Sequence, residues 1–308
     1  RGQRAVRGGH AVAEAAGQLG VKRDDVLSFT KTMVMLGETT NLTADQAATS
    51  MARFANIMGT PTSAVDQLGN ALVALGNNGA STEAEILEMS LRIAGAGKTI
   101  GLAESDVLGM ANALSSLGIE SEMGGSAISK MMINVAAAVD KGGQKLNDFA
   151  MIAGVSADEF ATSFRDDAGA AIAQFVEGLG SVEQRGGSLL NTLEDLGITE
   201  TRLRDTMLRV ANGGKLFADS LKLGADAVRE NDAMTKEYNE RLKTAESQLV
   251  LFKNKLYDVA ITLGGQLVPH LLKTLEAMGP LISLVVKSVA LFGSLPKPVQ
   301  TLGLALLG

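Results

Sequence analysis

Gly154-Val155-Ser156-Ala157-Asp158-Glu159-Phe160 decides how the rest of the chain is read. A glycine closes a helix at the left-handed C′ position, where it carries no Cβ penalty, and the apolar residue after it staples onto the next helix. Ser156 is placed to cap that next helix, Glu159 three residues on completes a capping box, and Phe160 is spaced to pack against Val155. The same punctuation recurs at Gly101-Leu102-Ala103-Glu104, Gly118-Ile119-Glu120-Ser121 and Gly197-Ile198-Thr199-Glu200, and more loosely at Gly20-Val21-Lys22-Arg23. Gly20, Gly101, Gly118, Gly154 and Gly197 are therefore expected to be helix-closing glycines. The chain reads as a string of short helices joined by tight corners.

Composition agrees with an all-α class. Of 308 residues, 46% are hydrophobic but only 4% are aromatic, with no Trp and 13 Met, so Ala, Leu, Ile, Val and Met carry the apolar mass. Small and unbranched side chains favour helix-on-helix packing, whereas strands would draw on more aromatic and β-branched residues. Helices are expected at about 11–19, 24–36, 43–58, 62–75, 82–95, 104–117, 121–140, 144–153, 157–179, 182–196, 200–212 and 215–228. Thr43 with Gln46 and Thr82 with Glu85 supply two further capping boxes.

Near residue 230 the period changes. Met234, Tyr238, Leu242, Ala245, Leu249, Phe252, Leu256, Val259 and Leu263 are spaced as a heptad seam, with charges of both signs between them. This predicts one long helix over about 230–263, packed either on another copy or on the chain's own helical part. Beyond Gly264-Gly265 the sequence is apolar: 267–275 carries His270 and Lys273, and 281–292 follows Pro280 and contains Lys287. A membrane span needs about 20 predominantly apolar residues, so a core hairpin or an interfacial helix is the plainer expectation here. Three parts result: a multi-helix module at 1–225, a coiled-coil-like helix at 226–266, and an apolar helical segment at 267–308 that is a candidate for membrane contact. The chain opens on Arg1 and stops at Gly308 inside an apolar run, and it is expected to be a piece of a longer protein.

Chemistry is sparse. A net charge of −6 and a pI near 5.1 argue against general nucleic-acid binding, which needs a basic surface. Without cysteine there are no disulfides, thiol catalysis or thiolate metal sites. His10 and His270 stand far apart with no ligand spacing around them. Gly95-Ala96-Gly97-Lys98-Thr99 ends like a phosphate-binding loop, but Arg92 stands where that loop needs its first glycine, and a helical run precedes it. No catalytic residue, cofactor or metal site is expected, and the chain is not expected to be an enzyme.

The run from Leu36-Gly37-Glu38-Thr39-Thr40-Asn41 to Ala48, followed by Arg53-Phe54-Ala55-Asn56-Ile57-Met58-Gly59 and Gly79-Ala80-Ser81-Thr82-Glu83-Ala84-Glu85-Ile86, resembles the core of phage tail tape-measure proteins. The Gly101 and Gly118 corners and Gly124-Gly125-Ser126-Ala127-Ile128 are similar to that family's glycine-punctuated helices, and the heptad region and the Leu-Pro segment have counterparts there. The resemblance covers most of the chain. It implies a homo-oligomer in the virion tail lumen, assembled in the bacterial cytoplasm, that sets tail length and takes part in genome delivery. It also implies the tail tube protein, tail assembly chaperones and tail-tip proteins as partners, with host membrane contact during ejection. The competing expectation is a membrane-acting helical protein, a pore-forming toxin or translocator.

Overall fold

The computed structural model describes residues 20–243 and 250–255, together with 12, 16 and 17. Two units result, one of Gln3–Lys243 and one of Arg1–Gly2 with Thr244–Gly308, and of the second only 250–255, which is helical, is described. Every regular element among the described residues is helical. The first unit contains α1 (Val26–Thr39), α2 (Ala44–Met58), α3 (Val65–Asn78), α4 (Glu83–Ile100), α5 (Glu104–Ser116), α6 (Ser121–Lys141) and α7 (Gln144–Ala153). It continues with α8 (Ala157–Asp166), α9 (Ala168–Gly180), α10 (Leu189–Asp195), α11 (Thr201–Asn212), α12 (Gly214–Glu230) and α13 (Ala233–Leu242). Short 3-10 turns at Arg23–Asp25 and Thr62–Ala64 lead into α1 and α3.

The corners carry the fold's local logic. Gly20, Gly101, Gly118, Gly154 and Gly197 take φ of 81°, 83°, 68°, 79° and 77°. At each corner the apolar residue after the glycine donates its N–H to a carbonyl five residues back: Val21 to Ala16, Leu102 to Gly97, Ile119 to Leu114, Val155 to Ala150 and Ile198 to Leu193, all at 2.8–3.1 Å. This is the Schellman closure, which satisfies carbonyls that a helix end leaves open. Four of those apolar residues, Val21, Leu102, Ile119 and Ile198, are buried, so each of these corners also points a side chain into the core. Capping boxes form at Thr43–Gln46, Thr82–Glu85 and Ser156–Glu159, each stabilising its helix start by about 1 kcal/mol.

One contiguous core runs through the first unit, with Phe29, Phe54, Phe160, Phe175 and Phe217 fully enclosed. In it Phe149 meets Phe175 edge to face at a centroid distance of 5.2 Å. Helix α4 packs on α2, α5 and α6, while α12 returns across α3, α5 and α9. The α5–α12 crossing is a backbone contact. A Cβ on Gly109 would lie 2.7 Å from the Ser220 carbonyl oxygen and 2.8 Å from Leu221 Cα, and one on Gly224 would lie 2.8 Å from the Ser105 carbonyl oxygen. Glycine at both positions lets the axes approach until main chain touches main chain.

Several element boundaries differ from expectation. The single helix expected over 157–179 is two, because Asp167 takes φ −150° and ψ 89° and accepts the Ala170 N–H at 2.9 Å, ending α8 and capping α9. The helix expected over 182–196 is only α10, since Gly186 at φ 80° turns the chain before it. Helix α4 continues through Gly95 and Gly97 to Ile100. The long helix expected from about 230 is interrupted at Asn231 and Asp232, and its described first part is the ten-residue α13. The boundary expected at 225 falls inside α12, and the compact unit runs on to Lys243. The helix expected over 11–19 and the apolar segment 267–308 lie largely or wholly outside the described residues.

Substituting Gly109 or Gly224 by alanine improves helix propensity by about 1 kcal/mol, yet each new methyl must displace backbone at the α5–α12 crossing. We expect each to lower unfolding free energy by about 2 kcal/mol in denaturant titrations. Stabilisation by either variant would show that the crossing has slack.

Candidate functional site

Two buried polar junctions stand out against the apolar core, one fixing α12 and the other the joint between α12 and α13. In the first, Asn112 on α5 is 1% exposed; its Oδ1 accepts from Ser81 Oγ at 2.6 Å and its Nδ2 donates to Ser220 Oγ on α12 at 3.0 Å. Three elements distant in sequence share one satisfied amide. Leaving such a group unpaired costs about 1–3 kcal/mol, so the network specifies which faces meet.

The second junction lies where the heptad seam begins. Asn231 follows the last residue of α12 and takes φ 51° and ψ 38°, the one described non-glycine residue at positive φ. Its Oδ1 accepts from Asn70 Nδ2 on α3 at 2.7 Å, and its Nδ2 donates to Asp66 at 3.3 Å. Asn70, 2% exposed, also accepts the Met234 N–H at 2.8 Å, so a single side chain holds both sides of the bend. Met234 is buried at the base of α13 on α1 and α3, its Sδ 3.3 Å from where a Cβ on Gly69 would lie. Arg241 near the end of α13 donates to the Thr39 carbonyl at 2.9 Å. A cleft of about 390 Å³ opens beside this junction, lined by Ser28, Thr32, Asp66, Asn70 and Thr235 among others.

The structure thus divides the expected seam. Met234 packs on the chain's own module, Tyr238 and Leu242 are half-buried on α13, and Phe252 lies in the helical stretch 250–255. Ala245, Leu249, Leu256, Val259 and Leu263 lie outside the described residues. The packing at Met234 rests on Asn70 and Asn231, which the heptad pattern did not single out.

A second cleft, about 410 Å³, lies between α7 and α10 and is lined by Met151, Ile152, Val182 and Leu196 with Asp148 and Asp195. Its Arg185 donates to the carbonyls of Ile152 at 3.2 Å and Gly178 at 2.6 Å, closing two helix ends. Among the described residues no group of acids and histidines is arranged to hold a metal ion. Lys98 and Thr99 lie within α4, and Thr99 donates back to the Gly95 carbonyl at 2.8 Å, so the phosphate-loop letters are helix interior. No described helix is long and apolar enough to cross a membrane.

One carboxylate departs from its ordinary behaviour through burial. Asp106 sits in the first turn of α5, accepts the Ala103 N–H at 3.2 Å, and faces Gly169 in the first turn of α9. Burial raises its pKa against the opposing Ala103 hydrogen bond, and neighbouring Asp167 and Glu104 add to the rise. The folded state then binds this proton more tightly than the unfolded chain, so Asp106 costs stability as pH rises above its unfolded value of about 3.9. Asp106→Asn keeps an acceptor without the charge. We expect it to melt higher than the parent at pH 7, with the difference vanishing below about pH 3, where the acid is largely neutral in both states; a difference independent of pH would contradict this.

Compared with known families, residues 9–194, more than half of the 308, match the model described as phage-related minor tail protein. No curated protein and no solved structure matches the chain.

Proposed function

Because the chain belongs to the phage-related minor tail protein family, and so to the structural proteins of the phage tail, we propose that it is part of a tape-measure protein. The observation that carries this reading is the combination of the family match at 9–194 with a heptad seam that starts in the last helix of the compact unit and runs on past its end at Lys243. The corner-rich module is too folded to measure length. A helix gains about 1.5 Å per residue, and the uninterrupted apolar repeat through residue 263 is the part of the sequence suited to axial extension.

In this reading the chain acts by shape and assembly and performs no reaction. The seam associates with further copies in the tail lumen, and the module is carried as a folded body. The tail tube protein, the assembly chaperones and the tail-tip proteins are its partners, and it leaves the tube during genome delivery.

Deleting residues 244–257 from the parent protein removes two heptads and leaves the register of the remaining seam intact. Virions assembled with that protein should have tails shorter by about 20 Å in electron micrographs. Tails of unchanged length would show that this region does not contribute to the ruler.

A further inference from the structure

The bend between α12 and α13 has only a weak cause in its own sequence, the tolerance of Asn231 for the left-handed region. Residues 225–263 contain neither glycine nor proline, and α12 and α13 are both regular helices up to the two residues that separate them. The repeat counts straight through. Phe217, Leu221, Gly224, Val228, Asn231, Thr235, Tyr238, Leu242, Ala245 and Leu249 are spaced 4-3-4-3-4-3-4-3-4, and the same alternation continues to Leu263. A strict seven-residue period keeps its residues on one face only if the helix is unbroken. In an unbroken helix Asn231 takes a seam position, where a lone asparagine fixes register between partner helices.

The forces holding the bend come from elsewhere in the fold. Asn70 and Asp66 of α3 grip Asn231 and the Met234 amide, and they lie more than 160 residues away in sequence. Met234 is the one buried side chain of α13, whereas α12 buries Phe217, Ser220, Leu221 and Ala227 together with Gly214 and Gly224. Helix α13 also carries its own support. Lys236 pairs with Asp232 at 2.8 Å and Arg241 with Glu237 at 2.8 Å, both at i,i+4 spacing, and Lys243 pairs with Glu240. The Asp232–Lys236 pair keeps its spacing when the chain is helical through the bend.

We propose that α13 is a latch with two states. In the closed state the Asn70–Asn231–Asp66 clasp folds the start of the seam onto α1 and α3. In the open state Asn231 and Asp232 become right-handed helix, α12 and α13 join into one rod over 214–242, about 44 Å long, and the seam from Asn231 onward is offered to a second copy of the chain. Release of the clasp thereby couples the folded module to assembly. The latch is a property of this fold and stands independently of the tape-measure reading.

The chain has no cysteine, so spin labels can be placed by Glu38→Cys on α1 and Asn239→Cys on α13, both exposed positions. A control pair, Glu38→Cys with Glu122→Cys on α6, lies away from the bend. Pulsed dipolar distances should show one dominant short separation in the parent background. A second, longer separation should become the major one in Asn70→Ala and Asn231→Ala, with the control pair unchanged. Asn231→Gly, which loses the clasp but reaches the left-handed region freely, should stay closed more often than Asn231→Ala. An unchanged short separation in both alanine variants would overturn the latch. Where a variant disturbs the control pair, the labelled parent chain decides: a minor longer separation beside the dominant short one supports local release, and a single short separation overturns it.

Discussion

The fold depends on the place where α5 and α12 touch through their backbones. Gly109 and Gly224 remove the side chains that would hold the axes apart, and the nearest atoms across the crossing are main-chain carbonyls and α-carbons. Packing that close multiplies weak dispersion contacts and excludes water from the Asn112–Ser220 hydrogen bond beside it. It also brings α12 back across α3 and α9, so a helix late in the sequence closes a core built from much earlier ones. The family match ends at residue 194, before α11 and α12, yet both pack into the same continuous core. The folded unit is therefore larger than the matched span.

From that crossing comes the geometry of the joint. Because α12 is fixed against α3 and α5, its last turn arrives beside Asp66 and Asn70, and the next residues must either continue away from the module or turn back along it. Asn231 turns them back. Asparagine enters the left-handed region more readily than other residues with a Cβ, and the hydrogen bonds to Asn70 and Asp66 hold it there. The bend thus combines an asparagine that tolerates the left-handed region with tertiary contacts that hold it there.

Local and tertiary causes separate the features legible in the sequence from those that are not. A closing glycine, an apolar staple and a cap with its acid three residues on are chemistry within about eight residues, so the Gly101, Gly118 and Gly154 corners can be read without knowing what surrounds them. Gly97, Gly109 and Gly224 carry the same letter for a different reason. Gly97 sits in a helix beside Val107, whose methyl would lie 2.9 Å from an added Cβ, and nothing local separates such a packing glycine from a closing one. Apolar spacing runs straight through Asp167 and predicts a continuous helix there, while its cap to Ala170 depends on backbone angles that spacing does not encode. Asn231-Asp232 is a weak local stop signal that the continuous apolar spacing outweighs, and the partners that hold the joint lie far away on α3.

A self-contained helical body ending at Lys243, with assembly assigned to the seam beyond it, is the central claim. Light-scattering mass of the whole chain, set beside a chain ending at Lys243, tests that division most directly. The expected result is an oligomer for the whole chain and a folded monomer for the shortened one. A monomer in both would contradict the claim, because the seam would then have no partner but its own module.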